Sequence, residues 1–143
     1  MHSLRLQKFS VRTSARNEML DVTDRLEKVL RSTGLLEGML IVYVPHTTAA
    51  VTINENADPD VKSDLLAKLS ALVPKAEAYY QHAEGNSDSH LKAAMLGHSA
   101  TVLVEAGKLV LGRWQGVYFC EFDGPREREL IIKAVSFRPP AGD

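Results

Sequence analysis

Four apolar runs follow one another through the last third of the chain: ATVLVEAG (100–107), KLVLG (108–112), WQGVYFCEFD (114–123) and RELIIKAVSF (128–137). Glycines at 107, 112, 116 and 124 punctuate them. A parallel pair of strands needs a crossover of about a dozen residues or more, and these connections are far shorter, so antiparallel pairing is favoured. No other feature limits the fold so strongly.

The first half mixes strands with helices. LRLQKFSV alternates apolar and polar residues from Leu4 to Val11, the period of a strand with one buried face. In DVTDRLEKVLRSTG, residues Val22, Leu26, Val29 and Leu30 share a helical face, Asp21 or Thr23 can cap the start, and Gly34 can end it. GMLIVYV predicts a strand buried on both faces and stopped by Pro45, with AAVTIN as the next strand. DPDVKSDLLAKLSALVP is the clearest helix: Asp58 suits the N-cap and Pro59 the first turn, while Val61, Leu65, Leu69 and Leu72 form its stripe. Residues 75–87 are polar and predict a loop, and a short helix starts near Ser87 and ends at Gly97. The expected class is α+β, a β-sandwich or twisted mainly antiparallel sheet with flanking helices. One domain, 1–143, is expected, with 138–143 as a loose tail.

Composition narrows the function classes. The net charge is −1 over 143 residues with 24% charged, which argues against a generic nucleic-acid-binding face. The longest apolar run, 39–44, is too short to cross a bilayer, and the start of the chain lacks the apolar segment of a signal peptide, so the expectation is a cytoplasmic protein without membrane contact. Cys120 is the only cysteine, which removes intramolecular disulfides and multi-cysteine zinc sites; it reads as a small buried hydrophobe rather than a nucleophile.

Three stretches can carry chemistry. In PHTTAAVTINENADPD (45–60), Pro45 interrupts a strand and puts His46, Thr47 and Thr48 at a sheet rim. Asn54, Glu55 and Asn56 face His46 if the next strand returns beside the first; otherwise these polar residues serve turns. In YYQHAEGNSDSH (79–90), His82, Asp88 and His90 are donor types that zinc selects, or else they decorate a solvated loop before an N-cap. On a regular helix Asp88 and His90 point about 200° apart, so they converge only if Asp88 precedes the helix proper. In GRWQGVYFCEFDGPRERE (112–129), Trp114 is either a ring platform or core filling, with Gln115 beside it. Arg126 and Arg128 either grip phosphate or sit on a solvated hairpin.

Taken together, HTTAAVTINENADPDVKSDL, YQHAEGNSDSHLKAAMLGHS and KLVLGRWQGVYFCEFDGPRERE resemble the YjbQ-like secondary thiamine-phosphate synthase family over about Phe9 to Phe137. The resemblance implies a sandwich-like fold, usually a homotrimer. It also implies a weak transferase activity that joins a pyrimidine diphosphate to a thiazole phosphate. Matched by position, the family's site falls on His46, Glu55 and Asp58, on His82, Asp88 and His90, and on Trp114 and Gln115. Many relatives have proline where His98 stands and threonine where Arg113 stands.

Residue chemistry and resemblance combine into a set of expected roles. A divalent ion, zinc or magnesium, is held by His46, His82 and His90 with Asp88 as ligand or orienter. Glu55 accepts from the pyrimidine amine, and Trp114 stacks on a ring. The alternatives are a non-catalytic trimeric protein that binds a metal or a small phosphorylated metabolite, and histidines that bridge subunits through metal.

Overall fold

The computed structural model describes residues 2–139. In chain order its elements are β1 (His2–Ser3), β2 (Gln7–Arg12), β3 (Glu18–Asp21), α1 (Thr23–Thr33), β4 (Gly38–Tyr43), β5 (Ala49–Glu55) and α2 (Pro59–Leu72). Then come α3 (Ser87–Leu96), β6 (Ser99–Glu105), β7 (Lys108–Leu109), β8 (Gln115–Glu121) and β9 (Glu127–Ser136). Every strand pair is antiparallel. One sheet runs β1-β9-β4-β6-β7, with β2 sharing the β1 edge of β9, and a second sheet runs β3-β8-β5. The class is the α+β, mainly antiparallel arrangement expected.

Strand alternation builds two cores from the second sheet. Val117 and Phe119 of β8 and Ala49 and Val51 of β5 face the first sheet, where they meet Leu40, Val42, Val102, Leu130 and Ile132, with Leu26 and Leu30 of α1 closing the same core. Tyr118 and Cys120 of β8, Ala50 and Met19 point the other way and pack under Leu65, Leu66 and Leu69 of α2 and Ala93 of α3. The result is sheet, sheet, helices, with successive side chains of β8 serving different cores. Burying one side chain as large as Phe119 stabilises by about 1.5–3 kcal/mol relative to leaving it in water. Cys120 is fully buried, and burial pushes its thiol up to about 12, consistent with a packing role.

Local signals place the helix ends. Gly34 takes φ 68° at the C-terminus of α1, the left-handed conformation glycine adopts without strain. Asp58 caps α2, its side chain accepting from the Asp60 N–H, with Pro59 in the first turn. The α2 stripe differs from expectation: Leu65, Leu66 and Leu69 pack, whereas Leu72 is exposed, because the helix lies on the sheet's outer face near its own end.

Three other expectations are corrected. Of the strand expected over Leu4–Val11, only the part from Gln7 is in β2; a separate β1 precedes it, and the two pair with 127–132 and 135–136 of β9. The short strand β3 carries too few residues to show a period. β4 is buried on one face only: Leu40 and Val42 are enclosed, while Met39, Ile41 and Tyr43 lie on an outer face that no helix covers. Arg138 of the expected loose tail is tied to Glu37 by an ion pair at 2.9 Å, and 140–143 lie outside the described residues.

Candidate functional site

The cleft begins where β4 stops. Tyr43 pairs with Ser99, and one step further the Val44 N–H donates to the His98 carbonyl at 2.8 Å, so the segment 45–48 leaves the sheet beside His98. On the other flank, the Phe122 N–H donates to the Thr48 carbonyl at 3.1 Å, which fastens this segment to the end of the second sheet. The N-terminus of α3 docks from above, Asn86 Nδ2 donating to Asp123 at 2.8 Å. The open cleft so formed has a volume of about 690 Å³, and its walls include His46, Thr47, His90, His98, Arg126 and Arg128. Among the described residues, Asn86 Oδ1 is the one buried side-chain polar atom without a hydrogen-bond partner, and Asn86 also lines this cleft.

Arg128 is the electrostatic centre. It is 4% exposed, and its partner Glu121 is fully buried. Nε and Nη2 of Arg128 both donate to the Glu121 carboxylate, and Nη2 also donates to Thr48 Oγ1 at 2.8 Å. Glu121 further accepts from Thr13 Oγ1 and from the backbone N–H groups of Phe122 and Asp123. Burial alone would raise the Glu121 pKa, but Arg128 and these donors outweigh it and hold it below the usual carboxylate value. Among the described residues Nη1 of Arg128 takes no hydrogen-bond partner, so two N–H donors of this locked guanidinium are unspent, and the residue lines the cleft. Arg126 is more open, donating to the carbonyl and the carboxylate of Asp123 at 2.9 and 3.1 Å. Both arginines of the 112–129 stretch thus line the cleft, one rigid and the other more open.

His46 is oriented by the backbone. The Glu129 N–H donates to His46 Nε2 at 2.9 Å, so the neutral ring carries its proton on Nδ1. Burial, then the charge of Arg128, holds the His46 pKa below its ordinary value, and the neutral donor form dominates at neutral pH. In this arrangement His46 presents a hydrogen-bond donor where the sequence suggested a metal ligand. Its one lone pair is occupied, and its other nitrogen offers a hydrogen instead.

Of the remaining expected ligands, the two histidines stay together and Asp88 is used elsewhere. His82 and His90 stand edge to face with centroids 5.3 Å apart, but His82 lines a neighbouring groove, and His90 is the wall common to both spaces. Asp88 is fully buried and grips Arg16 through two hydrogen bonds at 2.9 and 3.0 Å, with the Lys92 ammonium 3.6 Å away. Burial acts to raise its pKa, but Arg16 and Lys92 prevail and lower it. Asp88 therefore orients no metal ligand: it sits within α3, and the helical period turns it away from His90. Among the described residues no three His, Cys, Asp or Glu side chains are grouped to hold a metal ion. Two imidazoles fall short of the three protein ligands of a catalytic zinc site. Magnesium accompanying a diphosphate makes smaller demands, one or two carboxylates, and Glu84 and Asp123 line the cleft.

Glu55, Trp114 and Gln115 lie elsewhere. β4 and β5 belong to different sheets, so β5 does not return beside β4. Glu55 pairs with Gln115 at one end of the second sheet, whereas Ala49 pairs with Glu121 at the cleft end. Six residues of strand separate the two ends, about 20 Å. Gln115 is used locally, its Oε1 accepting from the Gly112 N–H at 2.7 Å. Trp114 is 53% exposed under the Arg113 guanidinium, 4.7 Å from the ring centroid, which rules out core filling. Asp58 is spent on its helix cap. The cleft also includes His98, which the sequence marked only as a departure from its relatives. Its signal was the β4–β6 register, which no single run of letters displays.

Comparison with known proteins matches the architecture just described. Residues 7–136 match the model of the family described as UPF0047 protein YjbQ-like. The chain belongs to this family. UPF0047 protein YugU of Bacillus subtilis is 48% identical over 130 residues, covering 91% of this chain and 98% of that protein. A UPF0047 protein of Methanocaldococcus jannaschii is 45% identical over 130 residues, covering 91% of this chain and 94% of its own length. A crystal structure of an uncharacterised YjbQ/UPF0047-family protein from Clostridium acetobutylicum superimposes with a TM-score of 0.88 at 46% identity, covering 90% of this chain and 99% of that one. A hypothetical protein from Aeropyrum pernix gives the same TM-score at 37% identity, covering 93% and 99%. The family and fold expected from the three motifs are thus the family and fold found.

Proposed function

We propose that this YjbQ-like chain is a thiamine-phosphate synthase-like transferase whose cleft receives the diphosphate of a pyrimidine substrate. The carrying observation is the locked Arg128 guanidinium, with two unspent N–H donors at a cleft that also presents the His46 ring and the Thr47 hydroxyl. In the reaction the bond from the pyrimidine's exocyclic carbon to the diphosphate oxygen breaks, and the electron pair leaves with the diphosphate. The thiazole nitrogen supplies the pair for the new carbon–nitrogen bond, giving thiamine phosphate and pyrophosphate. No proton needs removing from either reacting atom, so the catalytic demand is stabilisation of the departing anion. Arg128, Arg126 and the Nδ1–H of neutral His46 are donors suited to that task. Glu84 and Asp123, the carboxylates that line the cleft, would hold a magnesium ion arriving with the diphosphate, which would supply further charge neutralisation.

The test is turnover. Thiamine phosphate should accumulate well beyond one equivalent per chain, and His46→Ala should slow it by about 100-fold, the usual cost of losing one anion-stabilising donor. Binding that saturates at one equivalent without product would replace the enzyme by a capture protein for phosphorylated metabolites.

Assembly is a separate part of the reading. The outer face of the first sheet carries Tyr43, 45% exposed, and Leu103, 52% exposed, with Met39, Ile41 and Ile131 among them. A second and third copy of the chain are the occupants that the family resemblance suggests, and this uncovered sheet face is suited to them. Leu103→Lys, which alters no residue lining the cleft, should shift the solution mass from about three chains to the 15.8 kDa of one, measured by light scattering. An unchanged mass would move the interface elsewhere.

A further inference from the structure

The groove on the far side of His90 differs from the cleft in chemistry. It has a volume of about 530 Å³ and is walled by Tyr79, Tyr80, His82, His90 and Leu91, with Gln81 and Ser87 as its hydrogen-bonding groups. No lysine or arginine lines it, so a phosphate placed there would find no cationic partner. The cleft is the more polar of the two and carries two arginines, Arg126 and Arg128.

The aromatic wall is built rather than accidental. Tyr80 donates its hydroxyl to the Pro74 carbonyl at 2.9 Å, which anchors that ring. Tyr79 stands edge-on to it, with centroids 5.3 Å apart and planes at 81°. Tyr79 is 72% exposed, the largest exposure of any large apolar side chain among the described residues. Opposite, His82 and His90 make a second edge-to-face pair at 83°. Below them the Gly85 N–H donates to the His82 carbonyl at 3.2 Å in the turn that leads into α3.

We infer that this groove is the ring subsite for a planar nitrogen heterocycle whose phosphate or diphosphate lies in the adjoining cleft, with Tyr79 as the stacking surface. The inference rests on the anion reading of the cleft and adds where the rest of the substrate lies. His90 borders both spaces, so they adjoin at its ring, and a ligand with a ring at one end and a phosphate at the other matches their contrasting chemistry. Gln81 offers an amide donor and acceptor to ring nitrogens and an exocyclic amine, and Ser87 a hydroxyl. A flat apolar ring face against tyrosine and imidazole removes its surface from water without displacing any hydrogen bond. The stacking role assigned by sequence to Trp114, at the distant end of the second sheet, passes to Tyr79.

The experiment uses the full chain and two probes, inorganic pyrophosphate and the pyrimidine diphosphate, titrated by calorimetry against wild type, Tyr79→Ala and Tyr79→Phe. Tyr79 is exposed, so its truncation leaves the fold intact. Tyr79→Ala should weaken the pyrimidine diphosphate by about 10-fold, within the range for loss of one base–aromatic stack. It should leave pyrophosphate affinity unchanged, and Tyr79→Phe should behave as wild type. Equal affinity of the wild-type chain for the two probes would overturn the ring subsite while leaving the anion cleft standing. So would Tyr79→Ala weakening both probes alike or neither. Tight, Tyr79-dependent binding of the pyrimidine diphosphate without product formation would do the reverse, keeping the subsite and removing the transferase.

Discussion

Glu121→Ala should destabilise the fold by about 3–5 kcal/mol, the usual cost of stranding one buried charge after its partner is removed. For a domain of this size that is a fall in Tm on the order of 10 °C, readable by calorimetry or urea unfolding. The physical reason is geometric. Arg128 is 4% exposed and spends Nε and Nη2 on a carboxylate that is itself fully buried. Without Glu121, Thr13 and two backbone N–H groups also lose their acceptor. A buried pair is not by itself a stabilising device, because desolvation cancels much of its attraction. Replacing both partners, Glu121→Leu with Arg128→Met, should therefore recover most of the lost stability while abolishing pyrophosphate binding. Retained binding in that double variant would show that the guanidinium is architectural.

Asp88→Ala should cost a comparable 3–5 kcal/mol, because it leaves the Arg16 guanidinium and the Lys92 ammonium facing each other without an anion. Lys92 is 2% exposed, held by Asn17 and Ser70, with its ammonium 5.8 Å from the Phe122 ring centroid; burial foremost lowers its pKa. Asp88 also gives the effect a pH signature. Its folded pKa lies below the ordinary value of 3.8, so its contribution is complete above that pH and lost as acid carries the protein down through the folded value. Asp88→Ala should thus flatten the acid limb of the wild-type stability curve, which pH-dependent urea titrations measure. The same variant should leave pyrophosphate affinity unchanged, since Asp88 points away from the cleft. A loss of affinity with unchanged stability would restore Asp88 to the site.

The fold was more legible than the site, and for a physical reason. Helix caps and strand alternation are local: Asp58, Pro59, Gly34 and the alternating residues of β9 each announce themselves within a few positions. Short connections foretold antiparallel pairing, yet not which sheet each strand joins. β8 follows the β6–β7 hairpin in the chain but pairs with β3 and β5. That allocation separates Glu55 and Trp114 from His46, although the motifs read as one set of functional residues. His46, His90, Arg126 and Arg128 were all visible as candidates, and the structure does bring them to one cleft. The main duty of Asp88 was not visible, because Arg16 lies 72 residues back in the chain; only Lys92, one helical turn on in the same helix, is a local partner. His98 went unseen because its place depends on a strand register.

The Glu129 amide has a further implication. β4 ends its ladder with β9 at the pair Tyr43–Ile131, and two residues further along β9 the next inward main-chain hydrogen is taken by an imidazole. A side chain thereby acts as the last rung of a sheet. The donor face that His46 shows to a guest is consequently set by the alignment of two strands rather than by a free torsion, and a one-residue slip between them would erase it. Recognition in this protein is inherited from a seam in its framework, so mutations that disturb the end of the β4–β9 ladder would blunt selectivity.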